Sequence, residues 1–317
     1  MKLINQSFEI LEQTDFSLIG IRKFIEKCGK LCYNSKYKIT DDSYEKFIEI
    51  LENKYCSRLL EFGTVHLKIG WTEFSTIIRA TLLKKDKWNS IWIKYNFNPI
   101  EDCLNITTNY RYYLEIKKIL KDTFYIDMDE YLTEEDNEYY PKRYTVHFIT
   151  NKATVDEFRT LINLSYSSES IMYINLYKDE FEKEPTFILP KNWNSYNSLK
   201  RLNFTFMWKQ AQKCYMSLIE EGCTLQQARE VLPLSIKSEL ISCGFEDAWT
   251  NFIRISSKYE DIGLDSMAID IAIQNKTKHI PFNIELAKKI TNKEVKGRII
   301  SRDGHQARII CFDKDGC

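Results

Sequence analysis

Apolar residues at Leu18, Ile21, Ile25, Cys28 and Leu31 recur at helical spacing over residues 17–34, and Asp41 and Asp42 open a second helix that runs through Leu51. Residues 63–69, GTVHLKI, alternate and predict a strand, as does IWIKYNFNP, which Pro99 stops. Thr72 to Leu83 reads as a helix between them, and Thr107 and Thr108 are placed to cap a helix running to Leu120. The acidic stretch from Asp127 to Glu138 reads as a solvated loop. Arg143–Thr150 is a strand pattern followed by a helix from Asn151 to Ile162, with Thr154 near its start. PTFILP is a short strand between prolines, and Trp193 to Glu221 is a long amphipathic helix ended by Gly222. Thr224 caps a short helix that stops before Pro233. Ile236–Ser242 follows as a strand, with helices over Phe245–Ser256 and Leu264–Gln274.

The tail, KGRIISRDGHQARIICFDKDG, is two β-type runs around Arg302-Asp303-Gly304, a hairpin signal. A lone hairpin needs a surface to lie on. The tail reads as truncated or as pairing elsewhere. The expected partition is one domain over 1–290 and a small β-hairpin module over 293–317.

With 317 residues, 44% of them apolar and 28% charged, the composition is that of an ordinary globular protein. Lys+Arg and Asp+Glu both number 45, which removes any global electrostatic case for a nucleic-acid partner. No window of 18 apolar residues suggests a membrane span, and no apolar leader opens the chain, so the expected location is the cytoplasm. Nine cysteines lie scattered without CxxC pairs, and Cys28 and Cys32 have no nearby His, so reduced thiols are expected and no metal site. Heavy use of Lys, Ile, Asn and Tyr fits a low-GC genome, viral genomes among them.

The chemistry concentrates in RYTVHFITNKATVDEFRTLINLSYSSESIMYINLYKDEF, residues 143–181. Ser165, Glu169, Ser170 and Tyr173 stand in a Ser-x-x-x-Glu-Ser-x-x-Tyr arrangement behind a helix. That segment resembles the signature of the flavin-dependent thymidylate synthases. The family's Arg-His-Arg triplet is here Thr160, Leu161 and Ile162, and its Arg before the Tyr is Met172. Upstream, YCSRLLEFGTVHLKI is similar to the family's flavin-lining segment. Glu61 and Gly63 match, while Cys56 and Phe62 stand at histidine positions and Arg58 at a small hydroxyl position. ITTNYRYYLEI preserves Asn109 and Arg111, and QQAREVLPLSI carries Arg229 in the family's Ala-Arg-x-Val-Leu-Pro run. The family's late His-Phe-x-x-x-Arg unit reads Asn251-Phe252-Ile253-Arg254-Ile255-Ser256.

The resemblance implies an α+β fold with a mixed sheet flanked by helices, assembled as a homotetramer. It implies transfer of a one-carbon unit from methylene-tetrahydrofolate to deoxyuridine monophosphate, with reduced FAD supplying the hydride. Substrate binding then falls to Ser165, Glu169, Ser170, Tyr173 and Arg229, and cofactor binding to Glu61, Arg58, Arg159 and Asn251. Arginines suit such a site because the guanidinium grips oxyanions while staying charged. Each such bond is worth roughly 1.5–3 kcal/mol. Arg58, Arg159 and Arg254 lie close in sequence to lost positions, and the serines retain hydroxyls able to donate to a phosphate.

A purely structural reading stands beside this one. The serines and Glu169 also suit a turn closing the helix, and Arg229 can pair with Glu230 or Asp247. His66 and His147 lie within strand patterns and read as cross-strand packing residues. Three functions remain open: a divergent synthase, a non-catalytic homologue that keeps the assembly, and a scaffold acting through its tail.

Overall fold

The computed structural model describes residues 1–33, 39–53, 57–70, 74–75, 91–160, 163–168, 184–256, 299–300 and 306–307. The chain divides into two compact units, Met1–Ile273 and Gln274–Cys317.

In the first unit, ten strands form three sheets among the described residues: β1 (Lys2–Ile4), β2 (Ser7–Leu11), β3 (Thr64–Ile69), β4 (Ile93–Asn98), β5 (Cys103–Asn109), β6 (Leu132–Thr133), β7 (Arg143–Asn151), β8 (Ser165–Ser168), β9 (Thr186–Ile188) and β10 (Lys237–Phe245). One antiparallel sheet has the order β2-β7-β10-β8, a second β4-β5-β3-β6, and β1 pairs with β9 in parallel. The helices are α1 (Leu18–Tyr33), α2 (Ser43–Asn53), α3 (Tyr110–Ile119), α4 (Lys152–Phe158), α5 (Ser198–Glu220), α6 (Leu225–Ala228) and α7 (Glu246–Ser256). The expected α+β architecture is the one the chain adopts, and among the described residues parallel pairing is confined to β1 and β9.

Strand alternation explains the layering. Val146, Phe148 and Leu240 face α4 and α7, where Val155, Phe158, Trp249 and Phe252 close an aromatic core. From the other face of that sheet, Ile241 and Cys243 enter the largest core. There they join Ile21 and Ile25 of α1, and Val65, Leu67, Leu104 and Ile106 of the second sheet. Helix α1 is thus packed between two sheets. The third core sets Phe187 against Trp208, rings 5.9 Å apart.

Several boundaries differ from the sequence expectation. Thr107 and Thr108 lie in β5, and the cap is Asn109, whose side chain accepts from the Tyr112 N–H at 2.9 Å. The β-branched run carries the strand two residues further, so the helix starts later. Asn151 caps α4 by accepting from the Thr154 N–H, and that helix ends at Phe158 rather than Ile162. The acidic stretch contains a 3₁₀ turn, Met128–Tyr131, and the short strand β6, which pairs with His66 and Leu67. The long helix expected from Trp193 begins at Ser198, after a separate 3₁₀ turn at Trp193–Ser195. It ends as expected at Gly222, whose φ of +89° suits glycine. Thr224 and Gln227 form a full capping box on α6.

In the second unit, β11 (Ile299–Ile300) and β12 (Gln306–Ala307) pair antiparallel, as the hairpin signal predicts. Residues 302–304 and the helix expected over 264–274 lie outside the described residues.

Candidate functional site

Three segments that were separate in sequence meet at Glu61. The 3₁₀ turn Ser57–Phe62 presents the Glu61 side chain, which is 10% exposed. Arg111, in the first turn of α3, places Nη1 at 2.7 Å from Glu61 Oε1. Ser165, at the start of β8, donates its hydroxyl to Glu61 Oε2 at 2.6 Å. Arg111 also donates from Nε to Glu115 Oε1 at 3.1 Å and lies 5.9 Å over the Trp92 ring. One guanidinium is therefore shared by two carboxylates.

The backbone beneath is fixed by Arg143, the first residue of β7. Its Nη2 donates to the Glu61 carbonyl at 2.7 Å, and its Nη1 to the Gly63 carbonyl at 3.2 Å and Thr64 Oγ1 at 3.1 Å. Its guanidinium stacks over Phe245 at 5.6 Å. Gln13 pairs with both backbone groups of Thr64, each at 2.8 Å. Gly63 allows α1 to come close, since a Cβ there would lie 2.7 Å from Ile25 Cδ1 and 2.8 Å from Ile21 Cγ2. Asn163, at a left-handed φ of 85°, turns the chain from α4 into β8.

Of the expected site residues, Glu61 and Ser165 are brought together, with Arg111 between Glu61 and Glu115. Arg58 is exposed on the 3₁₀ turn, Arg159 and Thr160 are exposed at the end of α4, and Asn251 is exposed on α7. Thr160 donates its hydroxyl to the Glu157 carbonyl at 2.7 Å. Arg229 is half-buried after α6, and Asp247, one partner considered for it, pairs instead with Lys94 at 2.5 Å. Leu161, Ile162, Glu169, Ser170, Met172, Tyr173 and Cys56 lie outside the described residues, as do the side chains of Arg254 and Ser256. Arg143 was legible only as the start of a strand; its clamp on the Glu61 turn, 82 residues away, had no sequence signal.

Both histidines are packing residues. His66 is sandwiched between Phe16 and Tyr140, ring centroids 4.3 Å apart on either side, and donates from Nδ1 to the Glu135 carbonyl at 2.8 Å. Burial, the largest influence, pushes His66 down to about 4 against the pull of that bond. His147 donates from Nε2 to Glu239 at 2.8 Å across β7 and β10.

An anionic cofactor requires uncommitted cations. At this junction Arg111 serves Glu61 and Glu115, and Arg143 serves the turn, so the junction does not fit a flavin pyrophosphate and no step through flavin is derived from it. Cys103, Cys214, Cys223 and Cys243 are free thiols, and no described helix is long and apolar enough to cross a membrane.

In this α+β body a buried carboxylate joins β8 to two upstream segments. The family described as thymidylate synthase complementing protein matches residues 143–260, the stretch that contains Arg143, Ser165 and Arg229. The resemblance to flavin-dependent thymidylate synthases is borne out there. No curated protein matches the chain. Among solved structures, the chain is similar to the crystal structure of a UMP/dUMP methylase, PolB from Streptomyces cacaoi, bound with 5-Br UMP. Identity is 19%, the match covers 35% of this chain and 55% of that one, and the TM-score is 0.30. The match thus spans about half of that protein's length.

Proposed function

We propose that this chain is a divergent homologue of the flavin-dependent thymidylate synthases that binds a pyrimidine deoxynucleotide of the deoxyuridine monophosphate type. The observation that carries the reading is the Ser165–Glu61–Arg111 junction, because its three members come from three segments that each resemble the family. Ser165, Glu169, Ser170, Tyr173 and Arg229 are assigned to the nucleotide. On the cofactor side the resemblance puts Glu61, Arg58, Arg159 and Asn251, of which Glu61 is shared with the nucleotide through Ser165; the assembly is a cytoplasmic homo-oligomer of the family's tetrameric kind. In its full form the activity is one-carbon transfer from methylene-tetrahydrofolate with reduced FAD.

A second reading, a catalytically degenerate homologue serving as a regulatory or structural subunit, is favoured by one observation. The junction arginines are committed to protein oxygens where the family reaction needs free cations.

Purified protein should be assayed for flavin absorbance and titrated calorimetrically with deoxyuridine monophosphate. Flavin together with nucleotide binding establishes the full activity class, and nucleotide binding without flavin establishes the degenerate homologue. Failure to bind the nucleotide under either condition refutes the proposal.

A further inference from the structure

We infer that Ser165 and Glu61 form an acceptor face that recognises a hydrogen-bond donor on the nucleoside, the ring N3–H or a sugar hydroxyl, and not the phosphate. This rests on the reading above that the chain binds a pyrimidine nucleotide. A serine hydroxyl has one proton and two lone pairs. The Ser165 proton is spent on Glu61 Oε2 at 2.6 Å, so its remaining capacity is acceptance only. Glu61 carries acceptor atoms only and already holds Arg111. A phosphate oxygen, itself an acceptor, finds no donor in this pair.

Charge points the same way. Glu61 Oε2 lies 2.6 Å from the Ser165 oxygen, so a phosphate at Ser165 would meet a carboxylate of like charge. Access falls to Ser165. It is half-buried, whereas Glu61 is nearly covered. It also sits on β8, which among the described residues is the outermost strand of its sheet, with Cys243 of β10 opposite Ser165. Arg143 holds the turn that aims Glu61, so the polarity of the pair is set by the scaffold.

The test is calorimetric titration of the full chain with deoxyuridine monophosphate, 2′-deoxyuridine, 3-methyl-2′-deoxyuridine, 2′,3′-dideoxyuridine and inorganic phosphate. Wild-type protein should bind deoxyuridine within about tenfold of the nucleotide and ignore phosphate. One analogue, the methylated base or the sugar lacking its hydroxyl, should bind about tenfold or more weakly, the scale of one lost hydrogen bond. Which analogue fails identifies the donor. In Ser165→Ala that discrimination should vanish. In Glu61→Gln the amide donates to Ser165 and turns its proton outward, so the discrimination should also collapse and phosphate-bearing ligands should gain. Thermal melts confirm that both variants fold. Deoxyuridine analogues that bind equally well, or nucleotide binding lost once the phosphate is removed, overturn the inference and leave the parent reading standing. Absence of any pyrimidine binding overturns both.

Discussion

Arg143 offers the sharpest perturbation, because its contacts go to the backbone of the turn that bears Glu61. Substituting Met keeps much of the stem packing and removes the guanidinium. The Glu61 carbonyl then loses a charged donor at 2.7 Å, an interaction worth roughly 1.5–3 kcal/mol. The Gly63 carbonyl keeps the Tyr110 N–H at 2.8 Å, so the longer bonds at 3.2 and 3.1 Å add less, about 0.5–1 kcal/mol together. The face of Phe245 loses one cation and retains Lys94 at 5.1 Å, a further cost of about 0.5 kcal/mol. The expected total is roughly 2.5–4.5 kcal/mol for Arg143→Met. Arg143→Lys should cost about half of that, since an ammonium reaches one carbonyl but cannot fork. Urea unfolding measures the stability, and amide hydrogen exchange over residues 57–64 measures the turn itself. An Arg143→Met protein within about 0.5 kcal/mol of wild type, with unchanged exchange in the turn, would refute the role assigned to Arg143.

Three further outcomes follow from particular contacts. Gly63→Ala should cost about 1–3 kcal/mol by forcing α1 off the turn, because its Cβ would fall inside 3 Å of both Ile21 and Ile25; the thermal melting point reads it. Asn109→Ala should cost about 1 kcal/mol by uncapping α3, and Asn109→Asp should restore most of it, as followed by helix circular dichroism during urea titration. His66 binds its proton more weakly folded than unfolded, so the unfolded chain takes up protons first as acid is added. Stability should therefore be full above pH 6.5 and fall by about 3 kcal/mol as pH drops towards 4, and His66→Phe should flatten that slope.

The elements that proved legible were those whose pattern is set by one buried face. The alternation of 64–69 and 143–151, the helical spacing of 18–33 and the Gly222 stop all follow from local burial. The strand Cys103–Asn109 was hidden because its two threonines look like caps ahead of YRYYLEI, and only the pairing with β3 and β4 decides that they extend the sheet. At the N-terminus, Phe8 and Ile10 alternate, yet five residues gave too little signal without β7 beside them. The site was legible as residue types and not as contacts. Glu61 and Ser165 were each singled out, but as cofactor and substrate groups apart. Their hydrogen bond spans 104 residues and depends on the turn, on β8 and on the left-handed Asn163 between α4 and β8.

The commitment of Arg111 and the direction of the Ser165 hydroxyl are parts of one electrostatic arrangement. A scaffold that keeps Glu61 and Glu115 needs a cation to offset them. Among the described residues, Arg111 touches both carboxylates. A phosphate that used the remaining Arg111 N–H groups would come close to Glu61, 2.7 Å from that guanidinium, and to Glu115, 3.1 Å from it. At an effective dielectric of 20 a unit-charge contact near 4 Å is worth about 4 kcal/mol, so attraction to the guanidinium is opposed by repulsion of similar size from a neighbouring carboxylate. The Ser165 hydroxyl is held by the same carboxylate, which ties its polarity to that of Arg111. The junction thus opposes an anion through charge and through hydrogen-bond direction together, and neutralising Glu61 would be needed before Ser165 could turn its proton towards a phosphate.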